Sequence, residues 1–483
     1  MTTITGDRVI ATESKKFKNF TDWFDELLLN SRIADSRYPV KGFIVYLENG
    51  KYVMDRVSRK LEEKLEKDGH KPMLFPLVAT EENFGKEAEH IKGFRQEVFT
   101  ITRGGEEDSQ LILRPTSETI MYPMFSIWIK SYADLPLKVH QSCEIYRYET
   151  KATRPLLRVR EIPWNEAHTV HESPEDAERQ FRAAINIYRE VLEELGIAFL
   201  LLKRPDFDKF AGAEYSVAFD AWNPDGKVNQ VATVHNLGTN FSRVFDIKFE
   251  KRDGGKEYGW QLCYGMGFSR VLAAIIAQHG DDVGPCFSPE IAPTQIAIIP
   301  IPFKGREEDV IKYSREIFEV VREKYRAVLD DRKDVTPGEK FYHWERMGVP
   351  IRLEIGPKEA ESGTVTLMRR DLRERMVVRT KDLLEMLKKI VEEMPKIFLE
   401  RSRQILQSMI VDCYTLSEAS EAIENRKIVR ACWCGSIECA KVIKEKAGGE
   451  IRGHRYDTRE EPFSGCISCG KKSSYVIYIA RAY

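Results

Sequence analysis

The sequence predicts an α/β protein in three parts, and three observations indicate this architecture. Two extended segments rich in β-branched and aromatic residues, 143–148 and 157–164, flank a basic loop, which predicts paired strands in a mixed helix-and-sheet part. Beyond residue 290, strand-like and helical segments alternate, as in a compact α/β domain. Five of the nine cysteines lie between Cys432 and Cys469, which indicates a small metal-binding part. We place these parts at 1–290, 291–390 and 391–483.

The composition is that of an ordinary globular protein. A chain of 483 residues is long enough for roughly three domains. Because the formal net charge is only −1, a nucleic-acid partner would have to bind through local patches. No apolar run reaches the roughly 18–20 residues that span a bilayer, and the N-terminus lacks the apolar core of a signal peptide. We therefore expect a cytoplasmic protein.

Apolar spacing predicts the elements of the first part. Helices are expected over 17–29 and 52–67, the second ending at a C-cap glycine, and a strand over 72–78. Residues 111–129 then predict a strand, a turn and an apolar helix. Judged from the residues alone, Thr116 or Ser117 caps that helix, with Glu118 in its first turn.

A strand after the basic loop predicts a small pocket. Trp164, Glu166 and His168 alternate at period two, so their side chains share one face. An aromatic wall with two polar neighbours suits a compact apolar ring, and the alternative is a half-buried strand face. A helix follows, with Ser173 as its cap and Pro174 at its first position.

Two later strands carry further candidate residues. Three polar side chains of the strand over 228–235 are candidates: Gln230, Thr233 and His235. Residues 259–280 predict a strand that runs into an apolar helix opened by Arg270. Gly265 and Gly267 at the end of this strand allow a nucleotide to approach the backbone closely.

Several words of the sequence resemble one known family. Arg147-x-Glu149, followed by a basic loop and Arg158, is similar to motif 2 of the class II aminoacyl-tRNA synthetases. RPTSE at 114–118 and WNEAH at 164–168 resemble the prolyl-tRNA synthetases in particular. GMGFSR at 265–270 resembles motif 3, and the helix and strand over 52–78 resemble motif 1. The resemblance covers nearly the whole chain. It implies a class II antiparallel sheet flanked by helices, an α/β anticodon-binding domain and a small zinc-containing C-terminal domain.

The resemblance also implies a reaction, in which proline and ATP form prolyl-adenylate and proline then passes to the 3′ end of tRNA(Pro). Attack of a carboxylate on the α-phosphate brings two negative groups together, and an arginine fork can bridge them. The family pattern assigns catalysis to Arg147 and Arg270. It assigns proline binding to Thr116, Glu118, Arg147, Trp164, Glu166, His168 and His235. It assigns ATP binding to Arg147, Glu149, Arg158, Gln230, Thr233 and Arg270, with Gln230 also at Mg²⁺.

The spacing of the motifs indicates the subtype. The interval between His168 and His235 is already filled by one helix and several strands, so the editing insertion of bacterial-type enzymes does not fit. The chain therefore resembles the archaeal and eukaryotic type, without a cis editing domain, and by resemblance forms a homodimer.

Two positions depart from the general class II pattern. Ser269 replaces an acid before the motif 3 arginine, and Ile162 replaces an aromatic that packs on adenine.

The second part ends in a cluster of five arginines: Arg369, Arg370, Arg373, Arg375 and Arg379. RNA loops are recognised by hydrogen bonds to splayed bases. For most of these side chains, a solvated surface is the interpretation we favour. Glu354 and Arg369 are our candidates for contacting anticodon guanines.

The cysteines of the third part have metal-ligand spacing. A charged helix over 380–408 leads to this part. Cys434-x4-Cys439 and Cys466-x2-Cys469 provide two thiolate pairs, as in a tetrahedral structural zinc site. Cys432 is left out because Cys434-Gly435 and Cys469-Gly470 match the knuckle turn and the family pattern. By resemblance, the terminal Tyr483 packs back toward the catalytic part.

Two alternatives remain at the level of sequence. One is a class IIa synthetase for another amino acid, against which the RPTSE and WNEAH words argue. The other is a non-catalytic synthetase-like RNA-binding protein. Such proteins typically lose the ATP-binding arginines, which are all present here.

Overall fold

A large mixed sheet organises the structure. The computed structural model describes residues 14–85, 98–101 and 111–483, so the polar N-terminal residues 1–13 lie outside it. The described strands are β1 (Ala34–Asp35), β2 (Val45–Tyr46), β3 (Lys71–Pro72), β4 (Val78–Thr80), β5 (Thr100–Ile101), β6 (Leu111–Leu113), β7 (Leu137–Tyr146), β8 (Glu161–His171), β9 (Phe199–Lys203), β10 (Tyr215–Trp222), β11 (Lys227–Gly238), β12 (Lys248–Glu250), β13 (Lys256–Tyr258), β14 (Trp260–Gly267), β15 (Ile296–Pro300), β16 (Ala327–Leu329), β17 (Ile351–Ile355), β18 (Thr364–Arg369), β19 (Glu374–Arg379), β20 (Ile410–Asp412), β21 (Ile428–Trp433), β22 (Glu450–Arg455) and β23 (Tyr475–Ala482).

The described helices occur in all three parts of the chain. They are α1 (Lys15–Lys18), α2 (Phe20–Asn30), α3 (Glu48–Lys67), α4 (Glu81–Gly85), α5 (Glu118–Trp128), α6 (Pro174–Glu194), α7 (Asn240–Val244), α8 (Phe268–His279), α9 (Glu307–Arg322), α10 (Pro337–Arg346), α11 (Pro357–Ser362), α12 (Leu383–Met409), α13 (Leu416–Glu424) and α14 (Ile437–Ala447). None of these helices has both the length and the apolar character of a membrane span.

The large sheet has eleven strands in the order β20-β21-β23-β22-β9-β10-β11-β14-β8-β7-β3. From β9 to β7 every neighbouring pair is antiparallel, as the resemblance predicts. Helices α3, α6 and α8 cover one face, where Leu61, Tyr188 and Tyr264 are fully or almost fully buried. Helix α5 packs on the opposite face through Met121 and Tyr122. The space beside α5 on that second face holds the site described below.

The third part continues the large sheet, which the sequence did not predict. Strand β22 pairs with β9, and β23 pairs in parallel with the start of β11. Strand β22 lies so close to β9 that a glycine is required in it. Gly453 has a φ of +131°, and a Cβ there would lie 2.2 Å from the carbonyl oxygen of Lys203. The third part is therefore built into the same sheet as the first.

The second part forms a five-stranded sheet in the order β16-β15-β17-β18-β19. Its first three strands are parallel, and β18 and β19 add antiparallel at one edge. The alternating strands and helices predicted from the sequence are present, and β19 is an additional strand. Apolar residues of α9 and α12, among them Ile317 and Leu387, are buried in its core.

Two strand predictions need correction. The strand expected over 72–78 is only β3 and the start of β4, which belong to different sheets. Between them, the guanidinium of Arg114 donates to the carbonyl oxygens of Phe75 and Pro76, at 2.9 and 3.1 Å. These acceptors are thus bonded to a side chain. The second strand of the predicted pair begins at residue 161 and not at 157.

Candidate active site

A cleft of about 540 Å³ opens on the face of the large sheet that carries α5. Strands β8, β11 and β14 form its floor because alternate residues point to this face. Ten of the predicted residues line the cleft: Thr116, Glu118, Arg147, Trp164, Glu166, His168, Gln230, Thr233, His235 and Arg270. These residues come from five separate segments of the chain, and the sheet brings them together.

Trp164 forms a wall of the cleft between an arginine and a glycine. The guanidinium of Arg147 lies 5.5 Å from the indole centroid, within cation–π distance. A Cβ at Gly265 would lie 3.3 Å from the same ring. The absence of a side chain at Gly265 therefore makes room for Trp164. Arg147 is held further by a hydrogen bond from its Nε to the carbonyl oxygen of Pro115, at 3.0 Å.

Glu166 is the centre of a buried hydrogen-bond network. Its carboxylate accepts bonds from Gln141 Nε2 at 2.8 Å and from the hydroxyl of Ser117, and Nε2 of His168 lies 3.2 Å away. Burial alone raises the pKa of Glu166, but the contacts with His168, Ser117 and Gln141 outweigh burial and hold the pKa below its ordinary value. Glu166 is therefore a buried carboxylate that keeps its negative charge.

The interpretation of Thr116 or Ser117 as a helix cap is wrong. Ser117 occupies the N-cap position of α5, but its side chain makes no capping hydrogen bond. Its hydroxyl instead donates to Glu166, while the hydroxyl of Thr116 donates to Glu118 Oε2 at 2.5 Å. Both hydroxyls therefore donate to buried carboxylates, which form strong charge-assisted hydrogen bonds.

His235 also lies in the cleft, and its imidazole is uncharged. Its Nδ1 lies 2.7 Å from Oγ of Ser216, and the ring of Phe210 packs against it with centroids 4.7 Å apart. Burial, together with Arg204 and Arg147, lowers the pKa of His235 to about 3. A neutral imidazole can accept one hydrogen bond and donate another.

A β-bulge decides the direction of Gln230. In a regular strand Gln230 and Thr233 would face opposite sides. Residue 231 is skipped in the pairing of β11 with β10, so Ala232 lies opposite Phe219 and Gln230 lies opposite Asp220. The extra residue puts Gln230 on the same face as Thr233 and His235.

Arg270 crosses the other end of the cleft. It donates to the carbonyl oxygens of Leu157 and Gln230, at 3.2 and 3.1 Å. Burial, together with Arg147 and Arg158, lowers its pKa to about 10, so the side chain stays charged at neutral pH. Glu149 and Arg158 are not among the lining residues. They face each other with Arg158 Nε 3.6 Å from Glu149 Oε2.

Several lining residues were not predicted. Arg204, Phe210, Ser216 and Arg452 all face the cleft. No local pattern identifies them, because Arg204 follows an ordinary apolar strand and Arg452 comes from the third part. Tyr483 also lines the cleft, and its hydroxyl donates to Asp225 Oδ2 at 2.5 Å. This contact agrees with the position that the resemblance implies for the C-terminus.

The candidate anticodon residues lie in internal ion pairs. Glu354 accepts two hydrogen bonds from Arg352, and Arg369 pairs with Asp371 and Glu393. Their role in binding RNA stays a prediction.

For one other arginine of the cluster, Arg370, the solvated-surface interpretation is wrong, whereas the side chain of Arg373 is 54% exposed. Arg370 is 3% exposed, and both Arg370 and Arg373 donate to the carboxylate of Asp281 in the first part, at 2.8 and 2.7 Å. These two side chains join the first and second parts.

The four predicted metal ligands converge. The sulfur atoms of Cys434, Cys439, Cys466 and Cys469 all lie within 4.8 Å of one another. Tetrahedral zinc–thiolate geometry places sulfur atoms about 3.8 Å apart. The Cys434–Cys439 and Cys434–Cys469 distances of 3.7 and 3.9 Å fit it. Cys432 lies apart, where its sulfur accepts the amide N–H of Phe463 at 3.2 Å.

Family models cover most of the chain. The tRNA synthetase class II core domain (G, H, P, S and T) matches residues 97–279, and the anticodon binding domain matches 295–390. The prolyl-tRNA synthetase C-terminal domain matches residues 416–483. With the antiparallel sheet and the arginine-lined cleft, these matches define a class II aminoacyl-tRNA synthetase.

Full-length relatives identify the branch. The chain is 44% identical to the proline–tRNA ligase of Pyrococcus abyssi over 96% of this chain and 98% of that protein. It is 42% identical to the ligase of Thermococcus kodakarensis over 98% of this chain and 100% of that protein. The Giardia lamblia prolyl-tRNA synthetase, solved in complex with prolyl-adenylate, superimposes with a TM-score of 0.93 at 34% identity, covering 97% and 99% of the two chains. The chain belongs to the prolyl-tRNA synthetase family and is an ATP-dependent proline–tRNA ligase. This confirms the predicted family over both alternatives.

Proposed function

We propose that the cleft is where this enzyme forms prolyl-adenylate, and that the predicted residues divide it into a proline end and an ATP end. One observation supports this most strongly. Arg147 stacks on Trp164, beside Glu166 of the proline end, and its charge acts on Arg270 at the ATP end. A guanidinium in that place can bind the proline carboxylate and the α-phosphate at once. Catalysis then rests on positioning and on charge stabilisation.

At the proline end, a small clamp is proposed to hold the substrate. The secondary ammonium of proline has two N–H donors, which suit the Thr116 and Glu118 pair. Trp164 forms the apolar wall for the ring, and His168 and His235 border it. Glu166 holds His168, Ser117 and Gln141 in place and supplies negative charge near the ammonium. The neutral state of His235 avoids repulsion with that cation.

At the ATP end, Arg147, Glu149, Arg158, Gln230, Thr233 and Arg270 are proposed to bind the nucleotide. Mg²⁺ prefers oxygen ligands, and the side-chain oxygen of Gln230 can supply one. Arg204 takes one of its two acceptor sites, which leaves the second available. Bound Mg²⁺ would neutralise charge on the phosphates. The departure at Ile162 leaves an aliphatic side chain in the cleft wall.

ATP–pyrophosphate exchange with each of the twenty amino acids tests the proline assignment. Proline is expected to support the fastest exchange, because the clamp fits a secondary ammonium and the wall fits its ring. Alanine, the small apolar competitor, is expected to be slower by at least about 100-fold in kcat/KM, since it leaves the wall uncontacted and more than one methylene is missing. Equal exchange with another amino acid would overturn the assignment of the proline end.

The cysteine cluster is proposed to be a structural zinc site. With four thiolate ligands and no open position, the metal would stabilise the fold and take no part in catalysis. We expect one zinc per chain by atomic absorption. Cys469→Ala is expected to lose the metal, whereas Cys432→Ala, the matched control, is expected to retain it. Zinc retained in the first variant, or lost in both, would contradict this ligand set.

Binding of tRNA(Pro) is proposed to use the second part, with Glu354 and Arg369 as candidates for contacting anticodon guanines. For either to bind a base, it would have to exchange an internal ion-pair partner.

The tRNA substrate also favours the cytoplasm as the location. The domain limits at residues 290 and 390 remain a proposal, since β22 and β23 share the catalytic sheet.

A homodimer is proposed on family resemblance and on an apolar surface. Four large apolar side chains near motif 1 are exposed: Leu74 (82%), Leu77 (42%), Ile127 (60%) and Trp128 (40%). Contiguous exposed apolar side chains typically mark interfaces. Light scattering is expected to give about twice the chain mass of 55.9 kDa. Leu74→Glu is expected to shift it to the mass of one chain, and an unchanged mass would exclude this surface.

A further inference from the structure

Two arginines and one aspartate form a buried charge cluster at the ATP end of the cleft. Arg204, Asp220 and Arg452 are 5%, 0% and 7% exposed. Arg204 and Asp220 belong to the first part, whereas Arg452 lies on β22 of the third part. The family resemblance in the sequence assigns no role to any of them. Buried charges are costly unless they are paired, so their position calls for an explanation.

The three side chains are tightly connected. Arg204 donates to both carboxylate oxygens of Asp220, at 3.1 and 2.7 Å. Arg452 donates to the same carboxylate, with Nε 2.9 Å from Oδ2. Arg204 also donates to the backbone carbonyl oxygen of Arg452, at 2.5 Å. Asp220 is thus paired with two guanidinium groups. The positions of both depend on β22, which supplies Arg452 and the carbonyl oxygen to which Arg204 donates.

This cluster acts directly on Gln230. The Nη2 of Arg204 donates to the side-chain oxygen of Gln230, at 2.6 Å. An arginine can only donate, so this bond fixes the direction of the Gln230 amide, with oxygen toward Arg204 and nitrogen away from it. The bulge at residue 231 places Gln230 opposite Asp220, where the bond can form.

The backbone of the third part reaches the same place. Strand β22 pairs with β9 immediately beside Arg204, through His454 opposite Lys203. Strand β23 pairs with β11 through Lys227 and Val228, just before Gln230. Strand β22 therefore lies beside Arg204, and strand β23 lies beside the start of the strand that carries Gln230.

We propose that Arg452 is a positioning residue for ATP binding, which holds Gln230 in its working orientation through Asp220 and Arg204. This makes ATP binding depend on the third part of the chain. The proposal rests on the proposed role of Gln230 at ATP. KM for proline is expected to change little, because the charge that acts on His235 of the proposed proline end is that of Arg204, which replacement of Arg452 retains.

The test measures KM for ATP and KM for proline by pyrophosphate exchange on the full chain. Arg452→Met keeps the length of the side chain but removes its charge and donors. This variant is expected to raise KM for ATP about tenfold, which is the scale of losing an oriented hydrogen bond to a charged ligand. KM for proline is expected to change by less than about twofold. Arg452→Lys keeps the charge, and its KM for ATP is expected to lie between those of the unmodified enzyme and Arg452→Met. Arg455→Met on the same strand, whose partner is Asp457 outside the cleft, is the matched control.

Gln230→Ala separates the two proposals. If Gln230 binds ATP, the single variant Gln230→Ala raises KM for ATP. An unchanged KM for ATP in this variant would remove the proposed role of Gln230. In the Gln230→Ala background, Arg452→Met is expected to have no further effect on KM for ATP, because coupled residues are non-additive. An undiminished effect there, a parallel rise of both KM values, or an ATP KM unchanged in Arg452→Met would overturn the positioning role. Because KM does not depend on the amount of active enzyme, partial unfolding does not imitate the expected result.

Discussion

Replacing Arg147 by alanine is expected to lower kcat/KM for proline activation about 1,000-fold, the scale of loss when a preorganised transition-state donor is removed. Arg147 lines the cleft, donates to Pro115 and stacks on Trp164, so its guanidinium is fixed before substrates bind. The two negative groups that meet in the reaction would then lose their bridge.

Arg147→Lys separates charge from geometry. An ammonium keeps the positive charge but cannot bind two groups in a planar fork, so an intermediate loss of about 100-fold is expected. Arg182→Ala on the exposed side of α6 is the control, because its guanidinium donates to the nearby Glu178, away from the cleft. Pyrophosphate exchange in Arg147→Ala above about a tenth of the unmodified rate would exclude the bridging role.

Glu166→Gln is expected to raise KM for proline about 100-fold, with a smaller effect on KM for ATP. The carboxylate accepts from Ser117 and Gln141 and contacts His168. An amide would point a donor at these groups and leave at least one buried hydrogen-bonding group unpaired. It would also remove the negative charge near the substrate ammonium.

Glu161→Gln is the matched control, since it lies at the start of the same strand and accepts a hydrogen bond from Tyr146 outside the cleft. Equal KM values for proline in the two variants would contradict the role of Glu166.

The same carboxylate predicts how stability varies with pH. Because its folded-state pKa is depressed, the ionised form stabilises the fold above the ordinary pKa of 4.5, and this contribution is lost as pH falls through the lower folded-state value. The acid side of a stability profile is therefore expected to be less steep in Glu166→Gln.

Local patterns in the sequence were sufficient for much of this protein. The strand pair around the basic loop, the helix after Ser173 and the four zinc-spaced cysteines depend on residues a few positions apart. The face shared by Trp164, Glu166 and His168 follows from the period of a strand. Such features are specified by neighbouring residues, so they can be predicted without knowing the fold.

Contacts between distant segments could be decided only by the tertiary structure. The hydroxyl of Ser117 turns from the helix to Glu166 because another strand brings a buried carboxylate within reach. A bulge against β10 turns Gln230 into the cleft. Arg452 reaches the cleft because β22 pairs with β9, a strand of the first part, with His454 opposite Lys203. The residue types along the chain specify which chemical groups are present. Pairing between distant strands decided which of those groups meet, since it depends on the whole fold and not on local spacing.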